Sequence, residues 1–153
     1  MKKLIVLVLS SLLILSTMTA CGSSSSTSSA STAAASVSSA DLPEITAGMC
    51  QTPIVLTSIG QSADVDIVDT LCSKAGLTVY TNATLTADEL TDQYKTLIVA
   101  VGGSSKGLGA AGIDAEQELK RSEDLLAKAK ELGMTVVAMH TGGSARRGTL
   151  SDQ

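Results

Sequence analysis

Three polar stretches hold most of the residues in this chain that could do chemistry. They are Thr57-Ser-Ile-Gly-Gln-Ser-Ala-Asp64, Gly102-Gly-Ser-Ser-Lys-Gly-Leu-Gly-Ala-Ala-Gly-Ile-Asp114 and His140-Thr-Gly-Gly-Ser-Ala-Arg-Arg-Gly148. Glycine lets backbone approach a ligand closely, serine presents hydroxyls, and a helix start presents unpaired N–H groups. Lys106, Arg146 and Arg147 add positive charge. Together these residues describe a site for a small polar or anionic ligand, a carboxylate or a phosphate, lined by Ser58, Gly60, Gln61, Ser62, Gly103, Ser104, Ser105, Lys106, Arg146 and Arg147. The alternative is that the glycines only turn the chain and the basic side chains are solvated surface. At about twelve residues, the middle stretch is longer than most connections, which favours function or mobility.

Sharper chemistry fits these stretches less well. Gly107-Leu-Gly-Ala-Ala-Gly112 spells the dinucleotide pattern, but it begins several residues after its strand, and no acidic residue ends a following strand at the required distance. A phosphate loop fails because Gly107 follows Lys106 where a magnesium-binding Ser or Thr belongs. Ser104 or Ser105 could act as a nucleophile with His140 as base, though no nucleophile-elbow pattern supports it. A lone histidine at a strand end is also an ordinary hydrogen-bonded rim residue. With one His and no acidic cluster on these loops, no metal is expected, nor any cofactor.

The elements that must position the three stretches are legible. Ile54–Ile59, Leu77–Tyr80, Thr96–Val101 and Met134–Met139 are short apolar runs rich in β-branched residues, as strands buried on both faces require. Between the first two runs, Ala63 to Ala75 carries Val65, Val68, Leu71, Cys72 and Ala75 at helical spacing, with Ser62 as N-cap and Gly76 as stop. Thr86-Ala-Asp-Glu89 and Asp114-Ala-Glu-Gln117 are capping boxes for a short helix and for a longer one through Leu119, Leu125, Leu126, Ala129 and Leu132. Alternating strands and helices predict an α/β fold: a three-layer sandwich with an open parallel sheet, flavodoxin-like or Rossmann-like. In such sheets ligands bind beyond the carboxyl ends of the strands, and all three polar stretches fall there. The last strand is followed by only a short polar segment where a covering helix would start, so the domain is expected to be incomplete at its C-terminal end.

The N-terminal third reads differently. Lys2 and Lys3, the apolar run Leu4–Leu15 and small residues up to Ala20 form a signal peptide, residues 1–20, too short in its apolar part to span a bilayer. Met18-Thr-Ala-Cys-Gly22 resembles a bacterial lipobox, in which the cysteine takes a lipid such as palmitate. Cys21 is therefore the expected anchor, and the protein is placed on the extracytoplasmic face of the cell membrane or outer membrane. An ordinary secretory signal is the alternative. Residues 21–41 then form a tether of Ser, Thr, Ala and Gly, which cannot bury enough apolar area to order itself. It would hold the domain roughly 25 Å from the bilayer.

Residues 42–153 suffice for one small domain. Without Lys2 and Lys3, nine basic residues face fifteen acidic ones, which argues against nucleic acid as a partner. The absence of Trp and Phe, with only two Tyr, removes the platforms on which bases and sugars stack. Export would let Cys50 and Cys72 form a disulfide, contributing about 3 kcal/mol by loop closure. The alternative is an exposed Cys50 and a buried free Cys72.

The stretches Pro53–Asp64, Val101–Asp114 and Met139–Gly148 resemble a family of exported bacterial proteins catalogued as domain of unknown function 6305. The resemblance runs from Pro53 to the end and is most specific in the second stretch. It brings no activity, and it implies further chain after Leu150-Ser-Asp152. Three readings follow. The first is a tethered binding domain that passes its ligand to a transporter. The second is a hydrolase or transferase using Ser104 or Ser105 with His140. The third is a structural or interaction lipoprotein without a small ligand.

Overall fold

The computed structural model describes Glu44 and residues 46–152. Cys21, the signal segment and the tether lie outside the described residues. The order of elements is β1 (Ile54–Ile59), α1 (Asp64–Lys74), β2 (Val79–Thr81), β3 (Thr96–Val101), α2 (Ser105–Ala111), α3 (Ala115–Glu131) and β4 (Thr135–Met139). The four strands form one parallel sheet in the order β2-β1-β3-β4. This is the α/β sandwich that the alternating pattern predicts, with the flavodoxin-like strand order.

Chain direction and handedness together assign each helix to a face. The β1-to-β2 crossover steps one way across the sheet, whereas β2-to-β3 and β3-to-β4 step the other way. Right-handed crossovers must then put α1 on one face and the later connections on the opposite one. Two separate cores result. Ile54, Leu56, Ile98 and Ala100 pack against Val65, Val68 and Cys72 of α1. On the other face Val55, Leu97 and Val99 pack against Leu125 and Ala129 of α3, with Leu85 and Leu90 from the β2–β3 connection. The strands β1 and β3 are buried on both sides, which accounts for their uninterrupted apolar sequence.

Local expectations fare unevenly. The capping box at Asp114 is present: its Oδ1 accepts from Gln117 N at 2.8 Å, while Asp114 N donates to Gln117 Oε1 at 3.0 Å. At Thr86 the corresponding contacts hold only a 3-10 turn, Ala87–Glu89, not an α-helix. Ser62 sits one residue outside the N-cap of α1, and its Oγ accepts from Asp64 N at 3.2 Å. Leu71, Leu119 and Leu126 lie on the expected apolar stripes yet are exposed. The glycine-rich stretch after β3 contains α2, a helix that its glycine content conceals from propensity arguments.

Cys50 and Cys72 are both free thiols in the structure. Cys72 is buried in the core between α1 and the sheet, whereas Cys50 is exposed ahead of β1, so the bridge considered from sequence is not formed.

Candidate functional site

The carboxyl ends of β1 and β3 meet where the strand order reverses, the usual place for a ligand in this kind of sheet. Here the two loops clasp each other. Gly60 (φ +95°) and Gln61 (φ +56°) turn the chain out of β1, and Gln61 pairs with Gly103 in an antiparallel bridge. Ser104 N donates to Gly60 O, and Gly102 N to Ile59 O, each at 2.8 Å. A Cβ on Gly60 would stand 2.5 Å from the Gly102 carbonyl oxygen, so glycine is required for the clasp to close.

A buried ion pair locks the clasp to α3. Glu118, at 4% exposure, accepts from Gly60 N (2.7 Å), from Gln61 Nε2 (3.2 Å) and from both Nε and Nη2 of Arg121 (2.8 and 2.7 Å). Arg121 also donates to Ser58 O and Leu85 O, each at 2.6 Å. One guanidinium thus joins β1, the β2–β3 connection and α3. Burial alone would raise the Glu118 carboxyl, but the hydrogen bonds and charge of Arg121, with the Gly60 and Gln61 donors, outweigh it and hold the group below its ordinary value.

These contacts change the meaning of the residues that sequence reasoning assembled. The amide of Gly60, a residue expected to line the ligand site, already carries an internal carboxylate. Gly103 N donates to Ser151 Oγ and Gly107 N to Ser104 Oγ. Ser58, Gln61 and Ser62 are all buried, and Gln61 donates to Ala83 O as well as to Glu118. Arg146 faces the buried carboxylate of Asp64 at 3.8 Å, and Arg147 donates to Asp152 at 2.9 Å. Of the three predicted cations only Lys106, exposed on α2, makes no ion pair among the described residues. The three stretches do fall at the carboxyl edge of the sheet, but sequence reasoning missed Glu118, Arg121 and Asp64 there. The available clue to the first two was helical spacing from the start that the Asp114 box marks: Glu118 and Arg121 share a face with the buried Leu125 and Ala129.

The nucleophile-and-base arrangement is not assembled either. Ser104 is the N-cap of α2, its Oγ accepting from Gly107 N at 3.0 Å. The two ring nitrogens of His140 face backbone carbonyls, Nδ1 that of Val101 at 2.9 Å and Nε2 that of Gly143 at 3.0 Å. A ring so placed ties the β4 loop to the end of β3, and both carbonyls draw its proton affinity upward. No group of three or more His, Cys, Asp or Glu side chains suited to a metal occurs among the described residues.

Beside the clasp the molecule is open. A cleft of about 640 Å³ runs from the carboxyl edge down between α3 and β4, walled by Ile59, Val99, Leu126, Val136, Ala138 and Leu150. Its volume falls within the range of small-molecule sites, and its apolar walls with few polar groups fit that class. Leu119, Leu126 and Val136 are exposed because they face this space. Ser122 lines it too: the residue is 5% exposed, and its Oγ has no hydrogen-bond partner among the described residues. Leaving such a hydroxyl unpaired costs about 1–3 kcal/mol.

A family model described as a domain of unknown function, DUF6305, matches residues 51–153, and so covers the clasp, the ion pair and the cleft together. No curated protein and no solved structure matches the chain.

Proposed function

The chain belongs to the DUF6305 family, and we propose that it is a membrane-anchored, extracytoplasmic lipoprotein whose domain binds a small ligand at the carboxyl edge of its sheet. The ligand's apolar body lies in the cleft between α3 and β4, and its polar end lies near the clasp. Cys21 carries the lipid, residues 21–41 are the tether, and delivery of the ligand to a transporter in the same membrane is the role such a tethered binder would serve. The observation that carries this reading is the 640 Å³ apolar cleft opening beside the strand-order reversal, with a buried, unpartnered hydroxyl in its wall.

Two measurements test it. The Cys21→Ala variant should leave the membrane fraction in a detergent-partition assay, and retention would sink the lipid anchor. The full chain, extracted from its own membranes in polymer-bounded lipid discs, should carry a discrete small-molecule mass. That mass should vanish in Ala138→Phe, which fills the cleft from an exposed position on β4 that tolerates an aromatic. An identical mass profile in the two proteins would remove the cleft from the reading.

A second reading, an interaction lipoprotein whose cleft receives a protein segment, draws on the exposure of Leu119, Leu126 and Val136 at 41%, 37% and 41%. The hydrolase reading has no comparable observation, since His140 spends both nitrogens on carbonyls.

A further inference from the structure

We propose that the cleft between α3 and β4 selects a neutral or cationic head group, an alcohol or an amine on an apolar body, and rejects carboxylates and phosphates. This inference rests on the cleft being the ligand site and names the class of ligand it takes.

The charges around the cleft point one way. Among the described residues its ionisable lining residues are Glu118, Glu123 and Asp152, with no lysine or arginine. Glu118 is neutralised by Arg121 and Asp152 by Arg147. Glu123, exposed at the rim, makes no ion pair among the described residues. Among the described residues, the only uncompensated charge on the cleft is therefore negative.

The hydrogen-bonding groups agree. An anion entering an apolar cleft needs donors to replace its water. The Gly60 amide on the cleft, with Gln61 Nε2 and the Arg121 guanidinium, is already directed at the Glu118 carboxylate. The Gly103 amide is taken by Ser151. Among the described residues Ser122 Oγ is what remains: a buried hydroxyl with no partner, which can both donate once and accept from an incoming O–H or N–H. It satisfies an alcohol or amine but offers an anion a single neutral donor in place of its water. Glu123, one residue along α3, would add attraction for a protonated amine.

Three six-carbon probes differing only in their heads separate the possibilities: hexylamine, 1-hexanol and hexanoate. Binding is read from the methyl resonances of Leu126, Val136 and Ala138 in the full chain, held in lipid discs, so that partition into lipid does not count as binding. Hexylamine and 1-hexanol should bind about tenfold or more tighter than hexanoate, the discrimination expected from one unmatched polar group. Ser122→Ala should weaken 1-hexanol about fivefold while leaving the protein as stable as before or more so, an opposition that a folding defect would not produce. Glu123→Gln should bring hexylamine towards 1-hexanol. Hexanoate binding equal to or tighter than the other two overturns the head-group selection but keeps the cleft as a ligand site. Methyl resonances unmoved by all three probes overturn the small-ligand reading itself.

Discussion

The carboxylate of Glu118 lies 2.7 Å from the backbone nitrogen of Gly60, so the position at the strand-order reversal where a bound anion would rest is filled by a side chain of the protein's own third helix. Glu118 and its partner Arg121 stand in for a ligand, and they make the carboxyl edge a structural joint. The open space lies beside that joint, towards β4.

Removing one member of the pair should be far worse than removing both. Arg121→Leu leaves Glu118 buried without its counter-charge and should cost about 3–5 kcal/mol, whereas Glu118→Leu with Arg121→Leu should recover a large part of that loss. Urea unfolding of the wild type, both single variants and the double variant closes the cycle. A single-variant cost below about 1 kcal/mol, the surface-pair range, would show that the joint does not depend on the pair.

The same pair sets an acid limit. The folded-state value of Glu118 lies below the ordinary 4.5. Its contribution is therefore present above that pH and lost as pH falls through the folded value. Between pH 5 and pH 3 the wild type should lose more stability than Glu118→Gln, compared by urea midpoints at each pH.

Two glycines of one short helix should respond oppositely to alanine. A Cβ on Gly107 would fall on the Gln61 carbonyl oxygen, so Gly107→Ala must push α2 off the clasp and should cost about 1–3 kcal/mol, as overpacking does. Gly109 has open space around its Cα, and Gly109→Ala should stabilise by about 0.5–1 kcal/mol through helix propensity. Thermal melts of the two variants would show it, and a neutral Gly107→Ala would mean that α2 does not rest on Gln61.

His140 should titrate above its ordinary 6.5, because the Val101 carbonyl and then the Gly143 carbonyl favour the doubly protonated ring. What it contributes to holding the β4 loop is present below 6.5 and lost as pH rises through the folded value. The ring-proton NMR titration checks this directly, and a midpoint at or below 6.5 would contradict the two-carbonyl contact.

Without any reductant, Cys50 should react at once with a thiol reagent in the native protein. Cys72 should react slowly, since burial, and then the charge of Asp69, raise its thiol above the ordinary value. A native protein in which neither reacts, regaining both thiols only on reduction, would restore the disulfide.

The strands, the two main helices and the gathering of the three polar stretches at one edge of the sheet were legible in the sequence because each depends on short-range patterns. Apolar runs such as Ile54–Ile59 and Thr96–Val101 announce strands covered on both faces, and the Asp114–Gln117 box announces a helix start. The clustering of Ser, Gly and basic residues in the three stretches after β1, β3 and β4 followed from the alternation of elements alone. Tertiary structure decided how those residues are used. Whether the Gly60 amide meets a ligand or Glu118 and whether Leu126 is core or cleft wall depend on the placement of α3 against β1 and β4. Whether Arg146 is free or faces Asp64 depends on how the segment after β4 lies against the start of α1. Glu118 follows Gly60 by 58 residues in the chain. Contacts of that span arise from packing two faces of a sheet, and no local spacing rule encodes them.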